Sequence, residues 1–375
     1  MSAPRFLLLP DAFKGTLTSV EVSEALSAAI RQVYPQAHIE ARPMADGGEG
    51  TVAAWLALHG GALITTTVTG PDFAPVQAQY GLTEDGHTAV IEMAAAAGLP
   101  LNHAKQPPTD TTSYGVGELM QHALAQGVTR IVLGLGGSAT HDGGCGCAAA
   151  LGYRFYDAQG QSFIPVGGQL SRIQRIDATQ RDPRLSHTDI IALCDVDNPL
   201  LGAAGAARQF APQKGADAVM VQRLERGGQH LAERVARDLG MADSEFAGAG
   251  AAGGLGFGCR AFFNAELRGG MSMLLDAMDF EALAQQADII ITGEGRLDEQ
   301  SLRGKVVMAI ARRARAHRAK VVAVVGCMAG DRSTFLDGGL DAVVVSQGQD
   351  RDTLPSKAEA AQAVQAVMQQ FLLHQ

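Results

Sequence analysis

Unbroken apolar runs separated by amphipathic stretches constrain this chain more than any other feature. "RFLLLP" (Arg5 to Pro10) has no polar alternation, and "SVEVSEALSAAIRQVYP" behind it has helical spacing ended by Pro35. "AHIEARPM" predicts a second strand, "GEGTVAAWLALHG" a second helix with a glycine stop, and "GVGELMQHALAQGV" a helix leading into the strand "TRIVLGL". Further on, "ADIIITGEG", "KVVAVVG" and "LDAVVVS" predict three more strands separated by helical or turn segments, among them "GKVVMAIARRARAHRA". A strand that is apolar at every position is buried on both faces, as in a parallel sheet covered by helices. The expected class is therefore α/β, with one doubly wound, Rossmann-like parallel sheet.

Two regions break the rhythm. Ala62 to Ala94 is rich in Thr and Val, with turn signals at "GPD" and "EDG", and predicts antiparallel hairpins. The span from about Tyr153 to Ala284 mixes short strands, Gly-rich loops and helices without β-α-β alternation. A chain of 375 residues is long for one core. Two α/β domains are expected: a doubly wound one assembled from the discontinuous segments 1–61, 98–152 and 285–375, and an inserted mixed one from 62–97 and 153–284. A cleft between them is the expected small-molecule site.

Composition removes several classes of function. The formal net charge is -9 and aromatics make up only 5%. Both facts speak against a nucleic-acid surface, which needs positive charge and stacking platforms. The basic run "RRARAHRAK" (Arg312 to Lys320) is expected to be a solvated helix face. Five cysteines form no paired framework, so buried free thiols and a reducing, cytoplasmic setting are expected. No leader pattern is seen at "MSAPRFLLLPDAFKG", and no apolar run approaches the roughly 18 residues of a membrane span.

The chemistry gathers at predicted strand ends. "GLGGSATHDGG" (Gly134 to Gly144) lies between the strand "RIVL" and the helical "CAAALG". Such a turn is either a tight structural bend with a helix cap or an anion cradle of backbone N–H groups, to which Ser138 and Thr140 add hydroxyls. Asp142 offers a hard oxygen ligand suited to magnesium. "PDAFKGTLTS" places Asp11 and Lys14 at the end of the first strand, with Thr18 or Ser19 as helix N-cap. "MADGGEGT" repeats the arrangement with Asp46 and Glu49, and "ITGEGRLDEQSLRGK" with Glu294, Arg296, Asp298 and Lys305. "CDVDNPLLGAAGAARQFAPQKGA" adds Asp195, Asp197, Asn198 and Lys214. His141, Cys145, Cys147 and Met93 are expected to be packing residues.

The pattern G-x-x-x-x-G-K-[ST] is missing, and the one G-x-G-x-x-G match, "GAGAAG" (Gly248 to Gly253), follows a polar run instead of a strand. That weakens an NAD(P)-dependent oxidoreductase of small hydroxy acids. The acidic composition, without a basic helix-turn-helix, weakens a non-catalytic carboxylate sensor. Carboxylates, a few cations and Gly-rich loops suit phosphoryl transfer, which depends on positioning and charge stabilisation.

At these motifs the chain resembles the two-domain bacterial glycerate kinase family (glycerate 2-kinase, class I). The resemblance is carried in order by "PDAFKGTLTS", "MADGGEGT", "IEMAAAAGL", "GLGGSATHDGG", "CDVDNPLLG" with "FAPQKGA", "GAAGGLGFG" and "TGEGRLDEQSLRGK". His141 and the Val306 that follows Gly304-Lys305 depart from the family pattern. The resemblance implies ATP as phosphoryl donor, Mg2+ as cofactor, D-glycerate as substrate and 2-phosphoglycerate as product, with 3-phosphoglycerate the open alternative, in glyoxylate and sugar-acid catabolism. Assembly as a homodimer stays open. On this reading Asp195 is the base at the glycerate hydroxyl, with Asp298 second. Lys14, Arg296 and Lys305 neutralise the substrate carboxylate and the transferring group, and Asp46 and Glu294 also contact substrate. Gly136, Gly137, Ser138, Thr140, Gly143 and Gly144 hold nucleotide phosphates, and Asp46 and Asp142 hold the metal.

Overall fold

The structure is a computed structural model that describes residues 3–13, 15–45, 47–299, 301–303, 305–346 and 355–374. In chain order its strands are β1 (Arg5–Pro10), β2 (His38–Ala41), β3 (Ala62–Thr69), β4 (Pro75–Leu82), β5 (Thr88–Glu92), β6 (Arg130–Gly134) and β7 (Arg154–Tyr156). There follow β8 (Ser162–Phe163), β9 (Arg175–Asp177), β10 (Asp189–Leu193), β11 (Glu266–Arg268), β12 (Ile289–Leu297), β13 (Lys320–Met328) and β14 (Ala342–Val345). The chain divides into two compact units, residues 1–46 with 270–375, and residues 47–269.

The first unit is the doubly wound sheet. Its five strands run β14-β13-β12-β1-β2, every neighbouring pair parallel. Phe6 and Leu8 of β1 point to one face, where they meet Val22, Leu26 and Ile30 of the helix Ser19–Val33 and Val364 and Met368 of the helix Lys357–Leu373. Leu7 and Leu9 alternate to the opposite face and are also buried, so the strand is apolar throughout. Thr18 caps the first helix in a reciprocal capping box with Glu21. The winding reverses between β1 and β12. At such a reversal the loops diverge and leave a crevice beyond the carboxyl ends of the strands, where open α/β sheets bind ligands.

The second unit holds a six-stranded sheet, order β11-β10-β6-β5-β4-β3, in which β5, β6, β10 and β11 are parallel and β3 and β4 form the expected antiparallel hairpin. A three-stranded sheet, β8-β7-β9, lies apart from it. Tyr80, Ile91, Leu119, Leu133, Phe257 and Phe262 belong to its large apolar core.

The boundaries differ from the sequence expectation. Residues 47–61 and 98–152 belong with the second unit, because β6 pairs with β5 on one side and β10 on the other, and the helix Thr51–His59 packs on β4 and β5. Residues 270–284 belong with the first unit. Among the described residues no helix is long and apolar enough to cross a membrane.

Candidate active site

In the first unit, β1 and β12 run in register to Pro10 and Gly293, so Asp11 and Glu294 are the next residues on adjacent strands. The Asp11 N–H donates to the Gly293 carbonyl at 2.8 Å, and its Oδ1 accepts from the N–H of Ala12 at 2.7 Å. Glu294 is buried, and burial pushes its carboxyl up to about 7. A hydrogen bond from Ser301 and the Lys305 charge oppose that shift, while Asp11 and Asp298 reinforce it. Its Oε1 has no hydrogen-bond partner among the described residues. Arg296 is exposed and pairs with Asp298 at 3.5 Å. Lys305 is the N-cap residue of the helix Val306–Ala314. Glu294, Arg296, Asp298 and Lys305 thus share one strand end with Asp11. Ser301, fully buried and accepting from the Asp298 N–H at 3.2 Å, was not anticipated from sequence. Lys14 and Asp46 lie outside the described residues.

In the second unit, Glu92, Gly134 and Leu193 stand side by side at the ends of β5, β6 and β10. The loop 134–144 follows the middle strand, and its glycines serve close backbone approach. A Cβ on Gly136 would lie 2.6 Å from Gly48 Cα, and one on Gly143 would lie 2.3 Å from Leu231 Cδ2. The second Gly-rich run packs against the first: a Cβ on Gly253 would lie 2.1 Å from the Thr140 carbonyl oxygen. Gly253 and Gly254, at φ +66° and +88°, occupy the left-handed region that glycine adopts without strain. "GAGAAG" is therefore a close-packing segment, preceded by turn and loop and not by a strand.

Several donors of this loop are already taken. Gly136 N–H donates to the Gly47 carbonyl, Gly143 N–H to the Gly253 carbonyl, and Gly144 N–H to Asp142 Oδ1. Asp142 Oδ2 accepts from the Ser113 N–H and hydroxyl, both at 2.8 Å, and from the Gly146 N–H at 3.2 Å. The N-terminus of the helix Cys145–Ala150 is thus occupied by the chain's own carboxylate, which suits its positive dipole end. Several of the expected site positions take part in this arrangement. Asp142 is a buried carboxyl whose Oδ2 accepts three hydrogen bonds and whose Oδ1 accepts one, and burial raises its pKa. The N–H groups of Gly136, Gly143 and Gly144 are bonded within the chain. Thr140 is fully enclosed and has no surface to present to a nucleotide. Glu92 plays the same capping part at the helix Thr51–His59, accepting from Val52 N–H at 2.9 Å.

What remains open on the loop is Gly137, which is exposed, and Ser138 beside it. The Lys214 ammonium donates to Ser138 Oγ and to the Thr140 carbonyl, each at 2.7 Å. Lys214 is buried, and burial draws its pKa down to about 7 against the opposing charge of Asp142. Lys214 follows the helix Ala206–Phe210 in a short 3-10 turn, Pro212–Lys214; the sequence singled it out without assigning it a role. Asp195 stands two residues beyond the end of β10, half-buried, with Oδ2 shielded from solvent. His141, Cys145, Cys147 and Met93 are buried, as expected, and desolvation holds His141 down at about 3. Among the described residues there is no group of three His, Cys, Asp or Glu that could hold a metal ion, and Asp46 is not among them.

Strand ends at the reversal of a doubly wound sheet, here carrying carboxylates and cations, are where α/β enzymes bind their ligands. The profile described as "Glycerate kinase family" matches residues 6–374, and the chain belongs to that family, a family of kinases. It is 42% identical over 340 residues to a glycerate kinase of Bacillus subtilis (strain 168), spanning 90% of this chain and 89% of that one. It is likewise 42% identical to a glycerate 2-kinase of Escherichia coli (strain K12), with the same coverage. A crystal structure assigned as glycerate kinase 2 from Salmonella typhimurium LT2 superposes with a TM-score of 0.87 at 40% identity, covering 100% of this chain and 98% of that one.

Proposed function

We propose that this kinase transfers the γ-phosphoryl group of ATP to a hydroxyl of D-glycerate, giving 2-phosphoglycerate. The observation that carries the reading is the set Asp11, Glu294, Arg296, Asp298 and Lys305 at the ends of β1 and β12, in a chain whose relatives include a glycerate 2-kinase. Arg296 and Lys305 supply positive charge for a carboxylate and a transferring phosphoryl group, and Glu294 supplies a carboxyl for a substrate hydroxyl. In the second unit, Asp195 is proposed as the base that accepts the hydroxyl proton. Asp298, paired with Arg296 at 3.5 Å, is the second candidate. Gly137 and Ser138 are the loop residues proposed to meet nucleotide phosphate. Mg2+ would enter with the nucleotide, held chiefly by its phosphates, and supply charge neutralisation there. A cytoplasmic setting fits these soluble reactants.

The test couples ADP release to ATP consumption with and without D-glycerate. Product identity follows from direct dehydration: 2-phosphoglycerate feeds enolase without a mutase, whereas 3-phosphoglycerate does not. An enolase signal that needs added mutase overturns the assignment of the hydroxyl, and glycerate-independent ADP release overturns the acceptor.

A further inference from the structure

We infer that Lys214 is the positioning residue of the Ser138 hydroxyl, fixing it as a donor to an oxyanion oxygen of one of the reactants. An ammonium has only donors, so with Lys214 protonated, the form that prevails below about pH 7, the 2.7 Å contact to Ser138 Oγ makes that oxygen the acceptor. The hydroxyl proton of Ser138 then points away from Lys214 and is left to donate elsewhere. The second Lys214 contact covers the Thr140 carbonyl, whose partial negative charge would otherwise oppose an anion at the loop.

Three further observations support an outward role. The neighbouring N–H groups of Gly136, Ala139, Gly143 and Gly144 are all taken by the protein, while Ser138 keeps 7% of its surface beside the exposed Gly137. A buried ammonium carries a desolvation cost, which a neutral donor would avoid if tying two loop oxygens were its only task. A charge-assisted bond also polarises the hydroxyl it reaches and strengthens it as a donor. The oxyanion is a phosphate or a carboxylate, and the inference rests on the kinase reading for the source of that anion.

The experiment compares Ser138→Ala, Lys214→Met, Lys214→Arg and the double variant S138A/K214M, each checked for native circular dichroism, in steady-state kinetics with ATP and D-glycerate varied separately. The expected result is a rise of about tenfold or more in KM for one reactant in S138A and K214M. The double variant should be no worse than K214M, and K214R should recover part of the loss. A rise for ATP alone identifies a nucleotide phosphate, and a rise for glycerate alone identifies its carboxylate. The inference is overturned if both KM values stay within about twofold in folded S138A, or if the two losses multiply in the double variant. Calorimetric titration of wild type and S138A with each reactant alone keeps the test separate from the reading: a wild type that binds but does not turn over sinks only the kinase assignment.

Discussion

Ser113 meets Asp142 twice, donating its main-chain N–H and its hydroxyl to the same carboxylate oxygen at 2.8 Å. The same oxygen accepts the N–H of Gly146, and its partner oxygen the N–H of Gly144. Removing the carboxylate strands buried donors on two segments at once. Asp142→Ala is therefore expected to lose about 3 kcal/mol or more of stability, measured by denaturant unfolding. Asp142→Asn should lose less, because one amide oxygen can still accept. Normal stability with abolished activity in Asp142→Asn would support a direct role at the metal.

Glu294 gives a pH dependence of definite sign. Its carboxyl is raised from 4.5 to about 7 in the folded chain, chiefly by burial, so folding favours the protonated form. That contribution is fully present below pH 4.5 and is lost as pH rises through about 7. Relative to Glu294→Gln, which stays neutral, wild type should give up roughly 3 kcal/mol between pH 4.5 and pH 8. Denaturation midpoints of both proteins at the two pH values measure it, and a constant difference refutes it.

The interlocked glycines separate two sources of strain. Gly253 has φ +66° and would put a Cβ 2.1 Å from the Thr140 carbonyl oxygen, whereas Gly127 has φ +86° and open space around it. Gly127→Ala should cost about 1 kcal/mol, from backbone conformation alone. Gly253→Ala must also push two loops apart and should cost at least about 2 kcal/mol more. Equal melting shifts for the two variants would show that the loops yield easily.

Asp195 and Asp298 are distinguished by turnover. Asp195→Asn should lower kcat by about 10²-fold or more with little change in KM, as expected for a lost general base. Asp298→Asn removes the charge paired with Arg296 and should act mainly on KM for glycerate. The reverse pattern exchanges the two roles.

The strands of the first unit were legible because a sheet buried on both faces leaves no polar positions to disguise it, as in "RFLLLP" and "KVVAVVG". The unit boundaries were not, because "TRIVLGL" has the same apolar character and nothing local says whether it pairs with β1 or β5. The strand-end carboxylate Glu294 was found by its position after an apolar run, and burial then gave it the raised pKa that the spacing could not show. For the loop 134–144, composition announced closeness of backbone without saying to what, and the answer lay about 110 residues away in "GAAGG". A signal for Asp142 did exist: an acid just ahead of a helix is a cap before it is a ligand. Lys214 had no such signal, since its meeting with Ser138 depends on a turn 76 residues downstream.

The placement of β1 between β2 and β12 has a consequence for synthesis. Its partner on one side emerges from the ribosome some 283 residues later, so at ordinary elongation rates the apolar run Arg5–Pro10 waits roughly 15 to 60 s for its neighbour. Residues 47–269 are completed only near the end of that interval, while β1 exposes an unpaired edge. A holdase that grips the nascent N-terminal segment would find its binding site there, and would have to let go only after β12 has left the exit tunnel.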